Sequence, residues 1–181
     1  AEDTFEFNLA VVSGKPVDEQ GETFFEKTKS KVNSLCSLGL NKKMYLDRET
    51  LTLSEKELLD RKEKQNNFTL ITKDDFEFSL SLSEVIHDNF IRSDFNSEDL
   101  ITLIGLSKSK ASRMIKSLTG MAPNQLIQES RLQRALNNMV LSYKTIAEIA
   151  YESGFNSPSY FTRVFKKRFG ISPTKFSKQQ A

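Results

Sequence analysis

Two Arg-Lys pairs hold matching places in the second half of the sequence. Arg113 and Lys116 stand three residues apart and precede Gly120 and Pro123. Arg163 and Lys166 repeat that spacing and precede Gly170 and Pro173. Guanidinium groups at fixed places on a helix suit bidentate bonding to planar acceptors, whereas ammonium groups act as point charges toward phosphate. Little else in the chain offers chemistry. The one cysteine, Cys36, excludes an internal disulfide framework and any multi-cysteine metal site, and it reads as a small buried hydrophobe. The one histidine, His87, removes the usual zinc sites and most histidine-dependent catalysis, and it reads as a packed or surface side chain. The seven glycines never cluster into a phosphate loop. No enzyme activity, cofactor or metal is expected.

Charge divides the chain in two. Residues 92–181 carry 14 Lys and Arg against 6 Asp and Glu, a net +8, while residues 1–91 carry the remaining 12 against 18, a net −6; together these give the overall +2. Such asymmetry points to a nucleic-acid-binding half joined to something else. With 38% hydrophobic and 28% charged residues, the composition is that of a globular protein. No run approaches a membrane span, and the acidic start (Ala1-Glu2-Asp3) is unlike a signal peptide, so a cytoplasmic, nucleoid-associated protein is expected.

The elements that would position the basic residues follow from periodicity. Phe5, Phe7, Leu9 and Val11 alternate as in a half-buried strand, and Ser13 to Pro16 reads as a turn. Residues 22–38 place Phe25, Val32, Leu35 and Cys36 on one helical face. Ser54 with Glu57 forms a capping box for a short helix over residues 54–64. Residues 73–91 fit both periods, since Phe76, Phe78, Leu80 and Leu82 alternate while Phe78, Leu82, Val85, Ile86 and Phe90 suit a helix. Asp74-Asp75 and the length favour helix. The basic half contains an internal repeat, Gly105 pairing with Gly154 at an offset of 49 and the Arg, Lys, Gly and Pro positions pairing at 50. Each copy reads as a short apolar helix, a glycine turn and a second helix that ends at Gly-x-x-Pro, which makes two helix-turn-helix units in tandem. Residues 123–140 between them read as one helix with Leu126, Leu132, Ala135, Leu136 and Met139 inward. Its length of about 27 Å, with flanking turns, suits units that read successive major grooves about 34 Å apart.

The run from Thr145 through Gly154-Phe155-Asn156-Ser157-Pro158-Ser159-Tyr160-Phe161-Thr162-Arg163 to Pro173 resembles the signature of the AraC/XylS family of bacterial transcription regulators, and residues 107–123 are similar to that family's first helix-turn-helix. The resemblance extends over residues 76–176. It implies a mainly α fold, with a seven-helix tandem helix-turn-helix domain over 76–181 and a small α or α/β segment over 1–75. It also implies double-stranded DNA as partner, with RNA polymerase and a second copy of the chain as further partners.

In that family the second helix of each unit enters the major groove. Carried over by position, the first unit turns Lys108, Ser109, Ser112, Arg113 and Lys116 toward DNA, and the second turns Ser157, Ser159, Tyr160, Arg163, Lys166 and Lys167. Arg113 and Arg163 suit bidentate bonding to guanine edges. The serines can read bases weakly or bond phosphate, Tyr160 can pack a thymine methyl or bond phosphate, and the lysines neutralise phosphates. Phe155, Phe161, Phe165, Phe169 and Phe176 are expected in the core, and Ser107 and Ser157 as N-caps of the second helix in each unit. The first unit departs from the family pattern at Ile101, where Ala is usual, and at Ala111, where a bulky anchor is usual; the two are expected to compensate within one core.

Residues 1–75 are too few for a full effector-binding barrel or receiver. The Leu9-Ala-Val-Val run before Lys15-Pro16 faintly resembles the last strand of a receiver, so an output fragment of a response regulator or hybrid two-component protein is the alternative to a small cap, linker or dimerisation segment. A DNA-targeted repair enzyme would need a cysteine in a basic or metal environment, which Ser34-Leu-Cys-Ser37 does not offer. A protein-interaction module that has lost DNA binding fits poorly with the retained arginines and the +8 charge.

Overall fold

The computed structural model describes residues 9–12, 32–33, 44–48, 50, 52, 68–141 and 144–180. Two compact units divide the chain: residues 1–84 with 109–121, and residues 85–108 with 122–181. Among the described residues, seven helices follow a small sheet. The helices expected over 22–38 and 54–64 lie almost entirely outside the described residues.

The first unit holds three strands, β1 (Leu9–Val11), β2 (Met44–Asp47) and β3 (Phe68–Ile71), all parallel and in the order β1-β2-β3. Parallel neighbours need long crossovers, and residues 12–43 and 48–67 supply the length. In register, Ala10 faces Tyr45, and Tyr45 faces Thr69. Ala10, Tyr45, Leu46 and Ile71 are buried. The described part of the N-terminal segment thus contains a parallel sheet; β1 takes up Leu9 and Val11 of the expected strand, and Phe5 and Phe7 lie outside the described residues.

Helix α1 (Lys73–Asn89) resolves the ambiguous stretch as helix. Thr72 and Asp75 explain why: the Asp75 carboxylate accepts from the Thr72 amide and hydroxyl at 3.1 and 2.7 Å, and the Thr72 hydroxyl accepts from the Asp75 amide at 3.1 Å. That reciprocal cap starts a helix before the alternating pattern can act as a strand. Phe78, Leu82, Ile86 and Phe90, spaced by four, are buried. Helix α3 (Lys108–Thr119) also falls in the first unit from Ser109 on, with Ala111, Ile115, Leu118 and Thr119 buried.

The second unit contains α2 (Ser97–Ile104), α4 (Pro123–Leu141), α5 (Ile146–Glu152), α6 (Pro158–Phe169) and α7 (Pro173–Gln180). Its core joins Leu132, Ala135 and Met139 of α4 to Ile149 and Ala150 of α5, to Phe155, and to Phe161, Val164 and Phe165 of α6. Leu136 packs against that cluster only partly buried. The phenylalanines form a chain of ring contacts, Phe155 to Phe161 at 5.0 Å, Phe161 to Phe165 at 5.5 Å and Phe165 to Phe169 at 4.6 Å, in the tilted and edge-on arrangements that aromatic quadrupoles favour. Ile101 is buried on α2 and Ala111 on α3.

The repeat extends further upstream than its glycines. Asn96 caps α2 and pairs with Asp99, while Thr145 caps α5 and pairs with Glu148, each as a complete capping box. The two boxes lie at the same offset as Gly105 and Gly154.

Candidate nucleic-acid interface

Helix α6 separates packing from solvent contact by its period. Phe161, Val164 and Phe165 turn into the core, whereas Ser159, Tyr160, Arg163, Lys166 and Lys167 are exposed. Ser157, half-buried, is the N-cap: its hydroxyl accepts from the Tyr160 amide at 3.3 Å, and Pro158 follows with φ already fixed near a helical value. At the other end Gly170, at φ 77°, closes the helix through its amide on the Lys166 carbonyl at 2.9 Å. Lys166, Lys167 and Arg168 lie in the last turn, where positive charge complements the helix dipole.

On α3 the same division holds. Lys108, Ser109, Arg113 and Lys116 are exposed and Ser112 is half-buried, opposite the buried Ala111, Ile115 and Leu118. Lys108 lies 3.6 Å from Glu98, an exposed pair that contributes little to stability and leaves the ammonium in reach of other anions. Apart from the half-buried Ser112 and Ser157, the residues named on each expected reading helix therefore lie on its solvent side.

Two of the residues on α6 are less free than their exposure suggests. The Tyr160 hydroxyl donates to the Gln128 side-chain oxygen of α4 at 2.9 Å, and the Arg163 guanidinium lies 5.2 Å from the centre of the Tyr160 ring. Arg168 is bound to Glu129, its Nε 3.0 Å from Oε2, and Glu129 is buried. The basic run at 166–168 thus splits: two lysines face solvent, and the arginine ties α6 to α4.

Gly154 shows why the turn before α6 has its shape. It sits at φ 84°, and a Cβ there would lie 2.2 Å from the Phe90 carbonyl oxygen and 2.9 Å from Arg131 Nε. Arg131, on α4, is the reason those carbonyls are close. Its Nε donates to the Phe90 carbonyl at 2.8 Å, and its Nη2 donates to the carbonyls of Arg92 at 2.6 Å and Phe95 at 3.1 Å. Burial lowers the Arg131 pKa from its ordinary value, with Asp94 nearby opposing the shift. Asp94, Asn96, Asn124, Gln128, Arg131 and Tyr160 line an open polar groove beside the start of α6.

Sequence reasoning missed Gln128, Glu129 and Arg131. One signal was available: Glu129 falls among the apolar positions Leu126, Ile127 and Leu132, and a carboxylate at an inward position requires a partner. Among the described residues no group of three or more His, Cys, Asp or Glu could hold a metal ion, and no helix is long and apolar enough to cross a membrane.

The helix-turn-helix domain family matches residues 100–179. An HTH-type transcriptional regulator of Pseudoalteromonas carrageenovora is 36% identical over 93 residues, which is 51% of this chain and 54% of that protein. A crystal structure from Chromobacterium violaceum, of a transcriptional regulator described as AraC-type DNA-binding domain-containing, superposes with a TM-score of 0.50 at 25% identity over 56% of this chain and 92% of that one. Residues 100–179 are a helix-turn-helix domain, similar to that of an AraC-type regulator. A protein called Histidine kinase P4 of Formosa agariphila is 32% identical over 93 residues, which make up 51% of this chain and only 7% of the kinase. The chain thus spans about half of one curated relative and a small fraction of another. The match lies in the part of the chain where the two capped and glycine-turned helix pairs stand.

Proposed function

We propose that the chain is a sequence-specific regulator of transcription that reads two successive major grooves of double-stranded DNA, one with α3 and one with α6. The AraC/XylS-type domain supports this reading, and the observation that carries it is the matched solvent face on both helices, Arg113 with Lys116 and Arg163 with Lys166, each opposite a buried apolar face. Arg113 and Arg163 bond guanine edges bidentately. Lys108, Lys116, Lys166 and Lys167 neutralise phosphates, and the hydroxyls of Ser109, Ser112, Ser157 and Ser159 add short polar contacts. Tyr160 presents its ring rather than its hydroxyl, because Gln128 occupies the hydroxyl. Residues 76–181 form the DNA-reading domain and residues 1–75 an accessory segment. The chain works by binding, without catalysis or cofactor, in the cytoplasm at the nucleoid, with RNA polymerase and a second copy as further partners.

The test is selection by the full chain from a randomised duplex pool near physiological salt. One asymmetric motif with two half-sites about one helical turn apart is the expected result. Binding that is unselective and vanishes as salt rises would reduce the domain to a basic helical module.

A second reading is favoured by the kinase relative, in which the matched part is 7% of a long protein: the chain is the output end of a response regulator or hybrid two-component protein. Immunoblotting native cells with antibody to residues 145–180 decides it. A band several times the chain's 20.7 kDa supports this reading, and a band at that mass overturns it.

A further inference from the structure

The last carbonyls of a helix have no donor within the helix and must find one elsewhere when they are buried. At the end of α3 local donors serve the Lys116 carbonyl and reinforce the turn before it. The Gly120 amide bonds the Lys116 carbonyl at 2.8 Å, and the Thr119 hydroxyl donates to the Ile115 carbonyl at 2.8 Å while accepting from the Met121 amide at 3.1 Å. The Leu118 carbonyl is served from 73 residues away, by the Tyr45 hydroxyl at 2.7 Å. Tyr45 is only 2% exposed and Leu118 5%.

Tyr45 stands on the central strand of the sheet, paired to Ala10 on β1 and to Thr69 on β3. The ladder on both sides fixes its backbone, and a tyrosine side chain has only two torsions to fix beyond that. The hydroxyl is therefore held at a set height above the sheet, and the end of α3 is held to it. Bidentate contact by an arginine on that helix requires both N–H groups to meet their acceptors together, so the pose of the helix limits the readout.

We propose that Tyr45 is a positioning residue for α3, and that the sheet β1–β3 is the seat of the first reading helix. Base readout by Arg113 then depends on a hydrogen bond that originates outside the helix-turn-helix match. The inference rests on the reading that α3 enters a major groove. It gives the acidic N-terminal part a role that its composition did not announce. A tyrosine that merely stabilised the chain would affect both reading helices alike, whereas a positioning residue acts on one.

The experiment compares the full chain with its Tyr45→Phe variant, which keeps the ring and removes the donor. Competition binding uses the selected duplex and versions altered in either half-site, the half-sites being assigned first with Arg113→Ala and Arg163→Ala. The variant is expected to lose roughly five- to tenfold of its discrimination at the α3 half-site and to keep that at the α6 half-site. Equal loss at both half-sites, or no loss at either, overturns the proposal. Hydrogen exchange on the unaltered chain gives a second readout that needs no variant: amides of β2 and of the last turn of α3 should open together, and independent opening overturns it. If the unaltered chain selects no motif, the groove-reading function itself fails and this inference falls with it. If it selects a motif that Tyr45→Phe leaves untouched, only this inference falls.

Discussion

The Tyr160 hydroxyl is bonded to Gln128 while its ring lies 5.2 Å beneath the Arg163 guanidinium. A residue of α4 thus steadies the surface on which Arg163, the arginine proposed to read bases from α6, rests. Cation–π contact at an exposed site is worth about 0.5–1 kcal/mol, enough to bias the rotamers of a long side chain without immobilising it. Tyr160→Leu should therefore lower discrimination at the base that Arg163 reads by a few-fold, while Tyr160→Phe, which keeps the ring, should cost less. Competition binding against single-base variants of the selected duplex measures both. Identical discrimination in Tyr160→Leu and the unaltered chain would remove the steadying role.

Arginines and lysines of α6 should separate in their salt behaviour. Arg163→Ala is expected to cost about 1–3 kcal/mol at one base position and to relax specificity there. Lys167→Ala is expected to weaken binding evenly across sequences and to reduce the slope of log affinity against log salt by about one. Titrations at several salt concentrations, on cognate and random duplexes, check the pair of predictions together.

Gly154 and Gly105 have similar positive φ and different surroundings. Nothing lies within 4 Å of a Cβ at Gly105, so Gly105→Ala costs only the left-handed strain, about 1–2 kcal/mol. At Gly154 the added methyl meets the Phe90 carbonyl oxygen at 2.2 Å, which is backbone held in place by Arg131. Gly154→Ala should cost more than about 3 kcal/mol, since strain and overpacking combine there. Urea unfolding of the two variants gives the ranking, and equal costs would mean that the turn relaxes freely.

The capping box at α5 makes a pH prediction. Hydrogen bonds from the Thr145 hydroxyl and amide hold the Glu148 carboxyl below the ordinary glutamate pKa. Its contribution is present above the unfolded value near 4.3 and is lost as pH falls through the lower folded value. Glu148→Gln, which can still bond the Thr145 amide, should flatten the stability-against-pH curve in that acid window while leaving stability near pH 7 little changed. Thermal melts between pH 3 and 7 test it, and an unchanged acid slope would show that Glu148 does not contribute.

Much of the second unit is legible in the sequence because its signals are local. Gly154 and Gly170 mark the turns, Ser157 and Pro158 mark the start of α6, and the phenylalanines recur at helical spacing. The capping boxes at Asn96 and Thr145 are equally local, yet they lie upstream of the glycines and basic residues by which the repeat is recognised. Between Phe76 and Leu82 the pattern satisfied two periods at once, and the Thr72–Asp75 cap decides between them. The links made by α4 were not legible. Gln128 to Tyr160, Glu129 to Arg168 and Arg131 to Phe90 each join residues more than thirty positions apart, and polar side chains carry no periodicity that announces a distant partner. Tyr45 and Leu118 are the extreme of the same kind.

Helix α6 keeps its folding instructions and its exposed basic surface on different residues. Phe161, Val164 and Phe165 hold it in place, while Ser159, Arg163 and Lys167 lie on its exposed side. If α6 reads DNA as proposed, Ser159 and Arg163 can accordingly be exchanged for others, in a laboratory library or over generations, and each exchange would yield an intact protein with a new preferred address on the chromosome. Tyr160 and Arg168, tied back to α4, mark the edges of that editable strip.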